Sequence, residues 1–194
     1  MALVRCGVPI EVRRASTWEP DSAQAELLRV NSLGQIPTLK FDDGSVMTES
    51  AAILIQLGLL HPHAKLLPVE PAARAQALRG LVFIASNCYA AIGVIDYPER
   101  WCADGSEAEH EQLRQGARVR LHRYWEIFAD QFPTAEPFLG GAEPGALDLL
   151  AAVVSRWSGT RAHLKKHRPA LLALLQRIEG QADLAPVFAR HWPT

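Results

Sequence analysis

The chain has 194 residues, 48% hydrophobic and 21% charged, and 20 basic against 21 acidic side chains leave a net charge of −1. That length can bury a proper core in one domain or two small ones, and the balanced charge excludes the basic footprint of a nucleic-acid or anionic-membrane binder. Cys6, Cys88 and Cys102 lack metal-ligand spacing and suit a reducing cytosol, no basic-then-apolar leader opens the chain, and no apolar run reads as long enough to span a membrane, so a cytoplasmic globular protein is expected.

Residues 2–6 (ALVRC) are too few to set up a helix alone, yet Gly7 followed by Pro9 reads as a helix end leaving into a strand. The alternation of IEVRR predicts that strand over Ile10 to Arg14. A short amphipathic helix follows over 22–30, ended by Asn31 and Gly34. PTLKF and SVMT alternate around Asp42-Asp43-Gly44, a hairpin signal. Thr48 is a plausible N-cap for the apolar helix ESAAILIQLGLL, with Glu49 and Ser50 in its first turn.

Beyond a proline-rich break at 61–71 the strand signals stop. Helices are predicted over 72–95, 107–131, 146–157, 169–180 and 184–191, with a proline-glycine loop from Pro133 to Gly145. The organisation is a small α/β unit over 1–62 and an all-helical one over 71–194.

The stretch NSLGQIPTLKFDDGSVMTES, residues 31–50, carries the chemistry. Pro37 has no N–H and cannot sit in the middle of a paired strand. Two readings stand: a trans proline at the start of a strand, or a cis Ile36-Pro37 bond that turns the Ile36 N–H and C=O outward to a peptide-like ligand. Glu49 and Ser50 lie where a helix N-terminus offers free N–H groups and partial positive charge. Ser50 could bind a ligand carboxylate while Glu49 meets an ammonium. Alternatively, Glu49 only complements the helix dipole.

Taken together, the order Gln35-Ile36-Pro37, hairpin, Glu49-Ser50, helix resembles the glutathione-binding half of the thioredoxin-like domain in bacterial-type glutathione transferases. The resemblance runs over nearly all of the chain. It implies an α+β thioredoxin-like N-terminal domain, incomplete because its first strand is absent, followed by an all-α domain. It also implies a cis-proline at Pro37, Ile36 against the cysteinyl backbone of glutathione, Glu49 and Ser50 on its γ-glutamyl end, and a polar contact from Gln35. Glutathione is then a substrate, its thiolate attacking a small electrophile, and the protein a homodimer that uses no metal, nucleic acid or membrane.

The same resemblance puts the family's first strand and the turn bearing its catalytic Ser, Cys or Tyr before MALVRCGVPIEV, so the catalytic residue is unknown and polypeptide 1–194 is expected to show little transferase activity. A non-catalytic binding or assembly module is the alternative. Cys6 is no substitute nucleophile, because a helix C-terminus disfavours thiolate.

In the helical part, Ser86, Asn87 and Tyr89 interrupt an apolar helix; such groups line a wet cleft or are satisfied within the core. By the resemblance, Asn87, Tyr89 and Tyr97 are candidates for a second-substrate pocket. PGALDLLAAVV resembles the family's buried N-capping box with Gly145 in place of the hydroxyl, which leaves Asp148 a structural acceptor at the helix start. The histidines predict no metal site, and HLKKHR reads as a solvated helix end.

Overall fold

The computed structural model describes residues 1–15, 22–133 and 136–192. Residues 134 and 135 of the proline-glycine loop lie outside this range. In chain order the elements are α1 (Ala2–Arg5), α2 (Gln24–Val30), β1 (Thr38–Lys40), β2 (Val46–Thr48), α3 (Ser50–Leu60), α4 (Pro71–Phe83), a π-helical segment (Ile84–Tyr89), α5 (Ala90–Asp96), α6 (Glu107–Gln131), α7 (Ala146–Val154), α8 (Thr160–His167), α9 (Pro169–Glu179) and α10 (Ala185–His191). An α+β part therefore precedes an all-helical one.

The first turn closes as the Gly7-x-Pro9 pattern implies. Gly7 sits at φ 67, its N–H donates to the Val4 carbonyl, and the Val8 N–H donates to the Leu3 carbonyl, each at 3.0 Å. This pair of bonds ends helices wherever a glycine can take the left-handed conformation. The strand expected over Ile10 to Arg14 does not form, because no described strand lies beside it to complete a ladder. Ile10 and Val12 are exposed. Alternation makes a strand only where a partner gives the pattern a face to bury.

The hairpin does form. β1 and β2 pair antiparallel with Thr38 opposite Thr48, Leu39 opposite Met47 and Lys40 opposite Val46. Asp43 accepts from the Ser45 N–H at 2.8 Å, and Gly44 takes φ 84 in the turn. Thr48 is the last residue of β2 and not the cap of α3; Glu49 holds the N-cap position.

The helical part has the dense core. Leu81, Ile84, Leu121, Trp125, Phe128, Leu164, Leu175 and Ile178 are fully buried. α4, the π segment and α5 form one continuous run, Pro71–Asp96, with a mean hydropathy of 1.6 over its most apolar stretch. By length and composition alone that run would cross a membrane, which corrects the expectation that no segment is long enough. Arg74 and Arg79 in its first turns hide the length from a reading of unbroken apolar runs. Its buried face (Ala77, Leu81, Ile84, Cys88, Ile92, Ile95) packs against α6 and α7, as a core helix does.

α7 is the hub. Asp148, fully buried in its first turn, accepts from the N–H groups of Leu139 (2.8 Å), Gly140 (2.8 Å) and Gly145 (2.9 Å). Burial pushes its carboxyl up from the usual range, a shift only partly offset by these donors. The absent hydroxyl at Gly145 has a steric reason: a Cβ there would stand 3.0 Å from the Leu66 carbonyl oxygen. That carbonyl accepts from the Ala146 N–H at 2.7 Å and ties the break between the two parts to the start of α7. α3 packs on α7, and the Arg5 guanidinium reaches the Pro144 carbonyl, Glu143 (3.3 Å) and Asp183 (3.4 Å), so α1 and α3 both dock on the helical part.

Candidate functional site

The cleft at the front of α3 is built from the loop between α2 and β1. Asn31, at the end of α2, is buried and spends both ends of its amide on that loop. Its Nδ2 donates to the Gln35 carbonyl (2.9 Å) and Thr38 Oγ1 (3.1 Å), and its Oδ1 accepts from the Leu33 N–H (3.1 Å). The Thr38 hydroxyl donates to the same Gln35 carbonyl at 2.9 Å. Sequence reasoning passed over Asn31 except as a helix end. The available signal was a lone amide four residues before Gln35 in a loop otherwise short of partners.

This brace presents Ile36 to the outside. The Ile36-Pro37 bond is cis, Ile36 is 58% exposed, and the described residues give its backbone N–H and C=O no hydrogen bond. β1 begins only at Thr38, so Pro37 costs the ladder nothing.

Facing Ile36 is the start of α3. Glu49 adopts φ 66, a backbone conformation unusual for a residue with a Cβ, and among the described residues no side chain caps the helix. The first N–H groups of α3 are thus left without a side-chain acceptor, at the end where the helix dipole is positive. Strain of this kind costs on the order of 1–3 kcal/mol and clusters at ligand sites. Asn31, Gln35, Ile36, Pro37, Thr48, Glu49, Ser50, Ala85 and Tyr89 line one cleft.

Of the residues singled out in the sequence, the cleft therefore brings together Gln35, Ile36, Pro37, Glu49, Ser50 and Tyr89. Tyr89 is 40% exposed and packs edge-on against Trp157, with ring centroids 5.9 Å apart. Burial of its ring, with Asp96 and Glu49 nearby, pushes the phenol pKa up, so it is a proton donor at neutral pH. Asn87 and Tyr97 do not line the cleft. Asn87 donates to the Phe83 carbonyl at 3.0 Å and Ser86 to the Val82 carbonyl at 2.7 Å, both acceptors in the last turn of α4, just before the helix widens to π geometry. Tyr97 lies at the end of α5 with the Arg100 guanidinium 3.9 Å from its ring centre.

The thiols are elsewhere. Cys6 and Cys88 are buried, and burial raises both, Cys88 to about 12. Neither is a ready thiolate.

Comparison with known proteins bears on the family and the fold. Residues 1–58 match the family described as glutathione S-transferase, N-terminal domain. Over 158 residues the chain is 30% identical to the uncharacterized GST-like protein YncG of Escherichia coli K12, an alignment covering 81% of this chain and 74% of that one. It is 28% identical over 151 residues to human glutathione S-transferase theta-2B, covering 75% of this chain and 59% of the human protein. Among solved structures, a Sulfitobacter glutathione transferase homolog with bound glutathione superposes with a TM-score of 0.79 at 19% identity, over 98% of this chain and 90% of that one. A Methylococcus capsulatus glutathione transferase gives 0.75 at 26% identity, over 97% and 90%.

Proposed function

Because the chain belongs to the glutathione S-transferase family, we propose that it binds glutathione in the cleft before α3 and conjugates the glutathione thiolate to small electrophiles. The observation that carries this reading is the uncapped, left-handed entry to α3 facing the free backbone of Ile36. A γ-glutamyl group has a carboxylate and an ammonium close together. The carboxylate takes the Ser50 hydroxyl and the free N–H groups of α3; the ammonium takes Glu49. The cysteinyl unit pairs with the Ile36 N–H and C=O beside Pro37, as an added strand would, and Gln35 supplies a further polar contact.

An unperturbed thiol has a pKa of about 8.5, so only a few per cent is thiolate at neutral pH. A donor aimed at the sulfur enlarges that fraction; none of the residues assigned here is that donor, so weak turnover by polypeptide 1–194 is expected. Tyr89, protonated and on the rim of the same cleft, is assigned in this reading to the second-substrate side. Asn87 and Tyr97 belong to the second-substrate side in this reading only if a ligand draws them in. We assign residues 1–62 to the thioredoxin-like domain and 71–194 to the helical one, and infer a cytoplasmic homodimer with two-fold symmetry.

The test is calorimetry of glutathione binding to the parent chain and Ser50→Ala. Binding weakened by about 1–3 kcal/mol, the worth of a hydrogen bond to a charged group, is expected. Equal affinities would reduce Glu49-Ser50 to a helix start.

A further inference from the structure

α8 was not expected as a separate helix, since TRAHLKKH buries only Thr160 and Leu164 and shows little apolar periodicity. Its formation sets His163 and His167 four residues apart on one face, with their rings stacked at 4.3 Å between centroids. That face meets α6, where Glu126 Oε1 lies 2.8 Å from His163 Nε2. One ligand atom from each of Glu126, His163 and His167 falls within 4.8 Å of the other two. Tetrahedral ligands at zinc-like bond lengths stand about 3.4 Å apart. The remaining gap is within reach of a rotamer change at His167, which is exposed. No metal site was expected from the histidines, and the fold brings this donor set together from two helices. The missing signal was spatial: Glu126 is 37 residues from His163.

We propose that Glu126, His163 and His167 form a three-ligand site for a divalent transition-metal cation of the zinc class, clamping α8 to α6 and leaving a fourth position to solvent. Two imidazoles and one carboxylate are a donor set for such an ion; calcium and magnesium prefer all-oxygen shells. The carboxylate is already oriented. Glu126 Oε2 is held by Arg123 at 2.9 Å, with Arg168 at 4.0 Å, so Oε1 is the oxygen turned to the histidines. His122 stacks on His163 at 4.4 Å between ring centroids and holds the Ser158 carbonyl at its Nε2, so the His163 ring is packed in place. The two arginines lower cation affinity, so a reversible site is expected rather than a permanent one. None of the three ligands lines the cleft before α3, and the site stands or falls apart from glutathione binding.

The experiment titrates metal-stripped protein with zinc(II), reading calorimetry and melting temperature, and with cobalt(II), reading visible absorption. One zinc per chain, a raised melting temperature and a cobalt spectrum of low coordination number are expected. His167→Ala should fold normally, since its side chain is exposed, and should bind zinc about tenfold or more weakly, at least the loss seen when a ligand's supporting partner is removed. Glu126→Gln should weaken binding too. A double His61→Ala, His63→Ala variant should bind as the parent does. Absence of binding to the parent, affinity that survives His167→Ala, or affinity lost with the His61/His63 pair would each overturn the proposal and leave a hydrogen-bonded His-Glu pair.

Discussion

The two parts of the molecule are ordered by different forces. From α4 onward, large side chains such as Trp125, Phe128, Leu81 and Leu175 are fully buried, and the helices hold each other by apolar packing. From residue 1 to β2, Ile10, Val12, Leu28 and Leu33 stay exposed, and the described sheet is two strands of three residues each. Order here leans on polar links, Asn31 bracing its loop and Arg5 reaching the loop around Pro144, beside a smaller apolar contact in which Cys6, Leu3 and Val8 join the common core. The cleft is carried by the part with less core of its own, stiffened by docking on the other. Ligand contacts are then a larger share of its local stability than of the whole protein's.

The largest expected effect breaks this division altogether. Asp148→Ala leaves three N–H donors, on the half-buried Leu139 and Gly140 and the buried Gly145, without their acceptor. A loss of about 3–5 kcal/mol by denaturant unfolding is expected, since each orphaned buried donor costs about 1–3 kcal/mol before water relieves it. As α3 packs on α7, both parts should melt together. Separate transitions would mean that the α+β part is autonomous and the dependence drawn here is wrong.

A subtler variant pulls stability and binding apart. Glu49→Gly removes the steric penalty at φ 66 and should stabilise the fold by roughly 1 kcal/mol, net of the added chain entropy of glycine. It also deletes the carboxylate assigned to the ligand ammonium, so glutathione affinity should fall by tenfold or so, about 1.4 kcal/mol. Melting curves and calorimetry on one preparation read both. A variant that is less stable and binds equally well would make Glu49 a structural residue.

Much of this was legible in the sequence wherever the determinant was local. The hairpin follows from alternation around Asp43-Gly44, and the Asp148 cap from the likeness of PGALDLLAAVV to the family's N-capping box. The long helices predicted over 72–95 and 107–131 form; the capping box of Ser106 with Glu109 at the start of the second went unread. What failed was non-local. Ile10 to Arg14 has a strand pattern but no described neighbour. α8 is held by two buried residues and by contacts with α6 and α9, which no window on TRAHLKKH contains. In the cleft, Pro37, Glu49 and Ser50 stand out by position, whereas Asn31 matters only once the loop has folded over it. The π turn at Ile84–Tyr89 leaves no mark in composition, yet it decides that Asn87 bonds its own helix and Tyr89 reaches the cleft.

The smallest expected effect lies at the junction of the two parts. Glu70 caps α4, its carboxylate accepting from the N–H groups of Ala72 (3.0 Å) and Ala73 (2.7 Å). Those two bonds hold the Glu70 carboxyl below its usual range. A group whose pKa is depressed by folding adds stability above its unfolded value, about 4.3 for glutamate, and loses it as pH falls through the lower folded value. Glu70→Ala should therefore melt slightly below the parent at neutral pH, and the gap should shrink steadily on acidification through that window. Its side chain is solvated and far from any polar brace of the cleft loop, so glutathione affinity should not change. A gap that stays constant with pH would assign the effect to the backbone of the first turn and not to the charge. A fall in affinity would show that the entry to α4 and the entry to α3 are coupled, and that the polar part is less separate from the packed one than its own contacts imply.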